Sequence, residues 1–494
     1  MIRKTAPLIA LASLAACSMA PKYVRPALPV PPSWPVGDAY LKQSEAALPS
    51  VSYRDIFRDP RLQKIVEQAL VNNRNVRIAA ANIATARAQY RIQRAALLPE
   101  IDDSLSFSHR DNGTSGVTFG NTTGGTTGGG LTSGGSGVRE TYSTSLGLTA
   151  FEIDLFGRVR SLTTVAQNSY FATEAAARAT RLALVGDIAS AWLNYASDQS
   201  LLKIARDTAA NAQHSVTLTK ARVDGGVAPR TDLDQAQIVQ QTALSDLAAQ
   251  TTAVAQDVNA LHLLVGAPVD PTLLPTSIEE AASTIAEPPA GLDSGILLRR
   301  PDVVQAEYTL RAANAQIGAA RAALFPRISL TALAGLASTS LSNLFTGGAF
   351  NYSVAPSVSY PIFRGGAGRA GVAQSQAQRD AALASYEKSI QTAFSEVANA
   401  LARRGTVDGQ LAAQEALAKS SEDNYRLSEA RYRGGIDTFL QSLVAQRSLY
   451  TAQRSLVTTR LTGATNLVTL YRALGGDAAL DVTPSGPQPT APPR

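Results

Sequence analysis

Ala221-Arg222-Val223-Asp224-Gly225-Gly226-Val227 and Ala430-Arg431-Tyr432-Arg433-Gly434-Gly435-Ile436 are one pattern written twice. Each follows a long run with helical periodicity and ends it on a Gly-Gly stop, the usual way to leave a helix. Ala-Gln follows both, at Ala236-Gln237 and Ala445-Gln446. Working backwards, Val165-Ala166-Gln167 recurs as Val372-Ala373-Gln374. Ile153-Asp154-Leu155-Phe156-Gly157 resembles Tyr360-Pro361-Ile362-Phe363-Arg364. Ala95-Ala96-Leu97-Leu98-Pro99-Glu100-Ile101 matches Ala322-Ala323-Leu324-Phe325-Pro326-Arg327-Ile328. The order is preserved, so one structural unit is used twice. A linker with Pro268, Pro271, Pro275, Pro288, Pro289 and Pro301 joins the halves.

Each half reads the same way. A helix runs to the Leu-Pro or Phe-Pro signal (72–98 and 302–325), because Pro disfavours helix at the residue before it. Two alternating strands follow, within 101–151 and 327–361. A very long helix comes next, 158–223 and 366–432, and a shorter one returns, 231–265 and 438–473. A helix of about 66 residues is about 100 Å long. The shorter helices, about 27 and 35 residues, total about 93 Å, so they are expected end to end beside the long one. Leu383, Tyr386, Ile390, Phe394, Val397 and Leu401 form a coiled-coil-like seam. The remaining faces are Ala, Ser and Gln. They suit a filled bundle or a hollow helical barrel, and the scarcity of large apolar residues favours the barrel.

The strands carry the membrane signal. Phe350, Tyr352, Val354, Val358 and Tyr360 share one face, and Asn351, Ser353, Ser357 and Ser359 the other. Leu105 and Phe107 oppose Ser104, Ser106 and Ser108; Tyr142, Leu146 and Leu148 oppose Ser143, Ser145 and Thr149. An apolar face with aromatics against a hydroxyl face fits a membrane β-barrel with a wet lumen, or a half-buried soluble sheet. Pro356 is awkward, because it lacks a ladder donor. About four strands are visible, whereas the smallest single-chain barrels have about eight. Open edges are not tolerated in lipid, so other copies of the chain must complete the barrel.

Composition agrees. The 494 residues are 45% hydrophobic, 6% aromatic and 17% charged, low in charge and aromatics for a soluble enzyme. Recurrent periodicity excludes disorder along the whole length. The lack of long charge-free apolar runs beyond the N-terminus excludes a helical membrane bundle. The net charge of +6 is spread singly along helices, which speaks against nucleic acid.

Met1-Ile2-Arg3-Lys4 and the apolar stretch Ala6 to Ala16 read as an export signal. Leu14-Ala15-Ala16-Cys17 resembles the bacterial lipoprotein box, in which the Cys thiol is lipidated; the alternative is an ordinary signal with an incidental Cys. Cys17 is the sole cysteine, so no intramolecular disulfide forms. Ser18 resembles the outer-membrane default. Removing residues 1–16 deletes Arg3 and Lys4 and leaves +6 − 2 = +4. Pro21, Pro26, Pro29, Pro31, Pro32 and Pro35 mark an extended strap. Thr114 to Gly137, nearly all Gly, Thr and Ser, reads as a surface loop, and Pro484 to Arg494 as a disordered tail. His109, His214 and His262 have no ligand spacing, so no metal and no cofactor are expected. No nucleophile, zincin or Walker motif occurs, and the carboxylates show no acid/base pair, so the chain does not read as an enzyme.

Together these motifs resemble the TolC/OprM superfamily of outer-membrane efflux proteins, in its lipoprotein (NodT-type) branch. The resemblance covers about residues 17–475. It implies an α+β membrane protein. Three protomers would build a 12-stranded transmembrane β-barrel, four strands each, continued by a long periplasmic α-helical barrel with a mixed equatorial domain. The implied organisation is 1–16 signal peptide, 17–52 lipid-anchored strap, 53–71 equatorial segment and 72–98 helix. Then come strands 101–151 with an external loop 112–137, a helical hairpin 158–265 and an equatorial linker 266–301. Helix 302–325, strands 327–361, hairpin 365–474 and an equatorial end with tail, 475–494, complete it. The implied partners are a homotrimer, a periplasmic adaptor protein, an inner-membrane RND transporter and outer-membrane lipid. The implied function is a passive exit duct for drugs or other amphipathic compounds; the alternative is the outer duct of a type I protein-secretion system. The resemblance makes the Gly-Gly turns periplasmic tips. Candidate gate positions are Asp224, Gly225, Gly226, Arg230, Thr231, Asp232 and Asp234 in the first half. In the second they are Arg431, Tyr432, Arg433, Gly434, Gly435, Asp437 and Gln441. Asp437 and Val444 depart from patterns common in relatives. Thr231 or Asp232 could instead cap the returning helix.

Overall fold

The computed structural model describes residues 18–35, 37, 39–40, 52–111, 138–287, 294–480, 482–483 and 486–488. The export signal, Cys17 and the segment 112–137 lie outside the described residues. After a helical turn at Tyr53–Ile56 come α1 (Pro60–Asn72), α2 (Arg74–Ala95), β1 (Ile101–Asp111) and β2 (Val138–Glu152). Next are α3 (Arg158–Asp224), α4 (Arg230–Val265), α5 (Ile278–Ser283) and α6 (Pro301–Ala322). Then follow β3 (Arg327–Ser338), β4 (Phe350–Ser359), α7 (Ala367–Arg433) and α8 (Phe439–Ala473). Both long helices, α3 and α7, have 67 residues, and both helices that precede strands, α2 and α6, have 22. No described helix is long and apolar enough to cross a membrane.

The chain divides into two compact units. The first comprises residues 1–22, 87–167 and 312–379. It holds an antiparallel sheet in the order β1-β2-β3-β4. The register pairs Phe107 with Tyr142, Leu148 with Ala332, and Leu330 with Pro356. On the polar face the hydroxyls meet across the strands: Ser104 with Ser145 at 2.9 Å, Ser106 with Ser143 at 2.7 Å, and Ser329 with Ser357 at 2.7 Å. On the apolar face Leu105 is 80% exposed and Tyr352 73%. A bulge between Leu148 and Phe151, with Ala150 at φ 50°, inserts one residue. That extra residue returns Phe151 to the apolar face, which uninterrupted alternation would have denied it.

The strap begins in this unit. The Asn314 amide donates to the Pro21 carbonyl at 2.7 Å, and Arg321 to the Met19 carbonyl at 3.3 Å.

The second unit comprises residues 23–86, 168–311 and 380–494. Its larger core packs Ile188, Trp192 and Leu193 of α3 with Leu62, Ile65 and Val66 of α1, and with Ile278 of α5. The buried Trp192 indole donates to the Leu273 carbonyl at 3.1 Å. A second core buries Tyr386, Ile390, Val397 and Leu401 of the α7 seam, with Leu383 and Phe394 packed against it. Here the strap ends on a buried charge. The Glu307 carboxylate, wholly inaccessible, accepts from Arg25 at 2.7 Å, from Arg311 at 3.3 Å and from Tyr23 at 3.1 Å. Trp34 stacks on Phe394 at 4.9 Å. Arg25 also donates to the Thr483 carbonyl, and Val482–Thr483 pairs with Gly486–Pro487 in a short ladder. The expectation of a disordered tail from Pro484 is therefore corrected at Gly486–Pro487, which gain ladder partners upstream.

Two splices join helix ends. Gly266 ends α4 at φ 75°, and a Cβ there would lie 2.7 Å from the Asn72 carbonyl oxygen. The Asn73 side chain accepts from the Asn75 and Val76 amides, capping α2, and donates to the Leu264 carbonyl at 2.6 Å. One buried amide thus satisfies orphan groups of two helix ends. In the second half Arg300, just before α6, donates to the Ala473 carbonyl of α8 at 2.9 Å and pairs with Asp302 and Glu396.

Replacing Asn73 by Ala should cost about 1–2 kcal/mol, the usual worth of an N-cap. Asn73→Ser keeps a capping oxygen without the donor to Leu264 and should fall between. Thermal unfolding of the detergent-solubilised protein, followed by circular dichroism, checks the ranking.

Candidate functional site at the paired Gly-Gly turns

The two turns are built identically. In the first, the Gly226 amide bonds to the Val223 carbonyl and the Val227 amide to the Arg222 carbonyl. In the second, Gly435 bonds to Tyr432 and Ile436 to Arg431. This double bond pattern closes a helix through a left-handed residue, and Gly226 and Gly435 both sit at φ 72°. Each turn then holds out an apolar residue, Val227 at 69% and Ile436 at 68% exposure.

The α3 and α7 ends are tied together inside one chain. Tyr432 is buried, its hydroxyl 3.2 Å from Thr219 Oγ1. Arg222 donates to the Tyr432 carbonyl at 2.8 Å, and its guanidinium lies 4.7 Å from that ring's centre. Phe439 packs on the same ring at 5.3 Å, with Ala236 and Leu443 completing the cluster. Thr219, Arg222 and Phe439 were not singled out in the sequence; they come from helices far apart in the chain.

Four of the charged candidates, Asp224, Arg431, Arg433 and Asp437, are spent locally. Arg431 binds Asp437 across its own turn at 2.5 and 3.2 Å and holds that carboxyl below the usual carboxylate range. Lys220 pairs with Asp224 at 2.8 Å, and Arg433 with Glu429 at 2.5 Å. Gln441 is exposed on the first turn of α8. Arg230, Asp232 and Asp234 make no ion pair among the described residues. The capping reading of Thr231 and Asp232 is corrected. Pro229 occupies the N-cap in an extended conformation, so helix starts at Arg230 and both side chains fall inside its first turn without a cap bond.

Beside the tips, α3, α4 and α8 enclose a groove of about 600 Å³ lined by Ile238, Val239, Leu440 and Leu443. Tyr450 donates to Asp246 at 2.8 Å along its wall.

The hairpin of α3 and α4 also brings together two carboxyls that read as scattered in the sequence. Asp198 and Asp257 lie nearly equidistant from the Gly225–Gly226 turn, the signal that could have found them. Burial and the neighbouring Asp198 push Asp257 up to about 7; burial raises Asp198 too. A carboxyl raised in the fold favours the folded state in its protonated form. That contribution is full below the ordinary carboxylate value and is lost as pH rises through about 7. Asp257→Asn should therefore match the parent near about pH 4 and exceed it in thermal stability by about pH 8. An unfolding series across that range reads this directly.

A protein family described as outer membrane efflux protein matches residues 65–267 and 293–476. The chain is 43% identical over 465 residues to the probable efflux pump outer membrane protein TtgC of Pseudomonas putida, covering 94% of this chain and 93% of that one. It is 39% identical over 472 residues to the outer membrane protein OprJ of Pseudomonas aeruginosa, covering 96% and 95%. Among solved structures, a membrane protein from Pseudomonas aeruginosa superposes with a TM-score of 0.83 at 38% identity, over 93% of this chain and 100% of that one. The open state of the Neisseria gonorrhoeae MtrE outer membrane channel gives 0.79 at 33%, over 94% and 99%. With the family match spanning most of its length and relatives at this identity, the chain belongs to the outer membrane efflux protein family.

Proposed function

We propose that three copies of this chain form a passive exit duct for drugs or other amphipathic compounds, with a 12-stranded barrel in the outer membrane and a helical barrel in the periplasm. The chain is an outer-membrane channel component of a tripartite efflux pump, as its family is. The observation that carries the trimeric reading is the sheet itself. It has one hydroxyl face, one exposed apolar face and two open edges, β1 and β4. Four strands cannot close alone, and lipid offers the edge groups no partners.

Lipidation of Cys17 is part of this reading. Met19 is held by Arg321, one residue before α6 ends, and β3 starts at Arg327. The partners are a periplasmic adaptor at the tips and, through it, an inner-membrane RND transporter. Exposed Val227 and Ile436 and the apolar groove beside them suit an adaptor surface. The gate rests on the Arg222–Tyr432–Thr219 contact, with Asp232 and Asp234 left free to line the aperture.

Two measurements test this. Purified protein should migrate as a trimer and conduct in planar bilayers; a non-conducting monomer would overturn the duct. Arg222→Ala, which removes the bond to Tyr432, should raise the open fraction, and unaltered gating would remove that contact from the closure.

A further inference from the structure

We infer that Pro356 guards the β4 edge against stray strands while leaving it able to accept β1 of a second copy. This rests on the ring of copies proposed above. The Ala337 amide donates to the Ala349 carbonyl, which marks that pair as hydrogen-bonded. Antiparallel pairs alternate between bonded and non-bonded, so Ser329–Ser357 and Thr331–Ala355 are bonded and Leu330–Pro356 is not. The Ile153 amide, which donates to the Ile328 carbonyl, fixes the other side of β3 independently and agrees: even-numbered β3 residues bond to β2. The peptide groups of Phe350, Tyr352, Val354 and Val358 therefore point outward. Pro356 stands among them as the one position without a donor. No bond within the chain is lost.

The same alternation, carried through β2, makes Ile101, Asp103, Leu105, Phe107 and His109 outward-bonding residues of β1. On both edges these residues lie on the face that carries Leu105, Phe107, Phe350 and Tyr352. A β4–β1 junction between copies thus keeps the apolar and hydroxyl faces continuous. Any strand added to β4 meets a gap opposite Pro356 and keeps one carbonyl unpaired. A stray segment has only that ladder to hold it, and proline on an edge is a recognised obstacle to such pairing. In a ring every copy makes a junction at both edges and sets its apolar face in lipid, so it tolerates one missing bond per junction.

The test uses the full-length lipidated protein and Pro356→Val. Restoring the donor should raise the temperature at which the trimer dissociates in dodecyl sulfate. It should also increase higher-order aggregates when the denatured chain is refolded into detergent. No change in either, or a lower dissociation temperature, overturns the inference. Val354→Pro, at an outward position, should fold and give a weaker trimer; Ser357→Pro, at an inward one, should break the sheet itself. Equal behaviour of those two variants would refute the alternation. A parent protein that is monomeric before any substitution would instead sink the ring of copies on which the inference stands.

Discussion

Everything in this molecule answers to the backbone groups at two sheet edges. A sheet with one face apolar and exposed belongs in lipid, and lipid offers no water to an unpaired amide or carbonyl. Four strands cannot bend round to meet. In the proposed ring the chain finds its missing partners on other copies, and the long helices that leave the sheet accept whatever symmetry that closure sets. The hydroxyl ladder on the opposite face follows from the same demand. Ser104–Ser145, Ser106–Ser143 and Ser329–Ser357 give a wetted wall whose side chains hold one another.

Much of the fold was legible because it is local and periodic. The alternation in β1 to β4, the seam from Leu383 to Leu401 and the two Gly-Gly stops all lie within a few turns or strands of sequence. Duplication amplified them, since a pattern seen twice in order is hard to mistake. The equal 67-residue lengths of α3 and α7 are its structural counterpart. What was not legible depends on partners far away. Nothing around Ala150 announces a bulge, because the extra residue has meaning only against β3. Asn73 looks like an ordinary polar residue until Leu264 lies beside it.

The tips show the same division. The turn geometry at Gly226 and Gly435 follows from residue type alone. The contacts that join the helix ends do not: Arg222 and Tyr432 are separated by 210 residues of chain. The alternative that Thr231 or Asp232 caps the returning helix fails for a local reason, since Pro229 holds the N-cap and Arg230 already opens the helix. Asp437, which departs from the pattern common in relatives, answers Arg431 in its own turn.

The two helix splices have diverged in kind. Asn73 joins its helices with a neutral amide, whereas Arg300 joins the equivalent pair with a cation held between two carboxylates. The second splice is a buried cation that dissolved ions screen only weakly, and the first carries no charge to screen. The duplicated halves are consequently unequal as mechanical parts. Losing its carboxylates would strand a buried cation at one joint, whereas the other has no charge to orphan, so a body assembled from two repeats carries one fragile shoulder and one sturdy one.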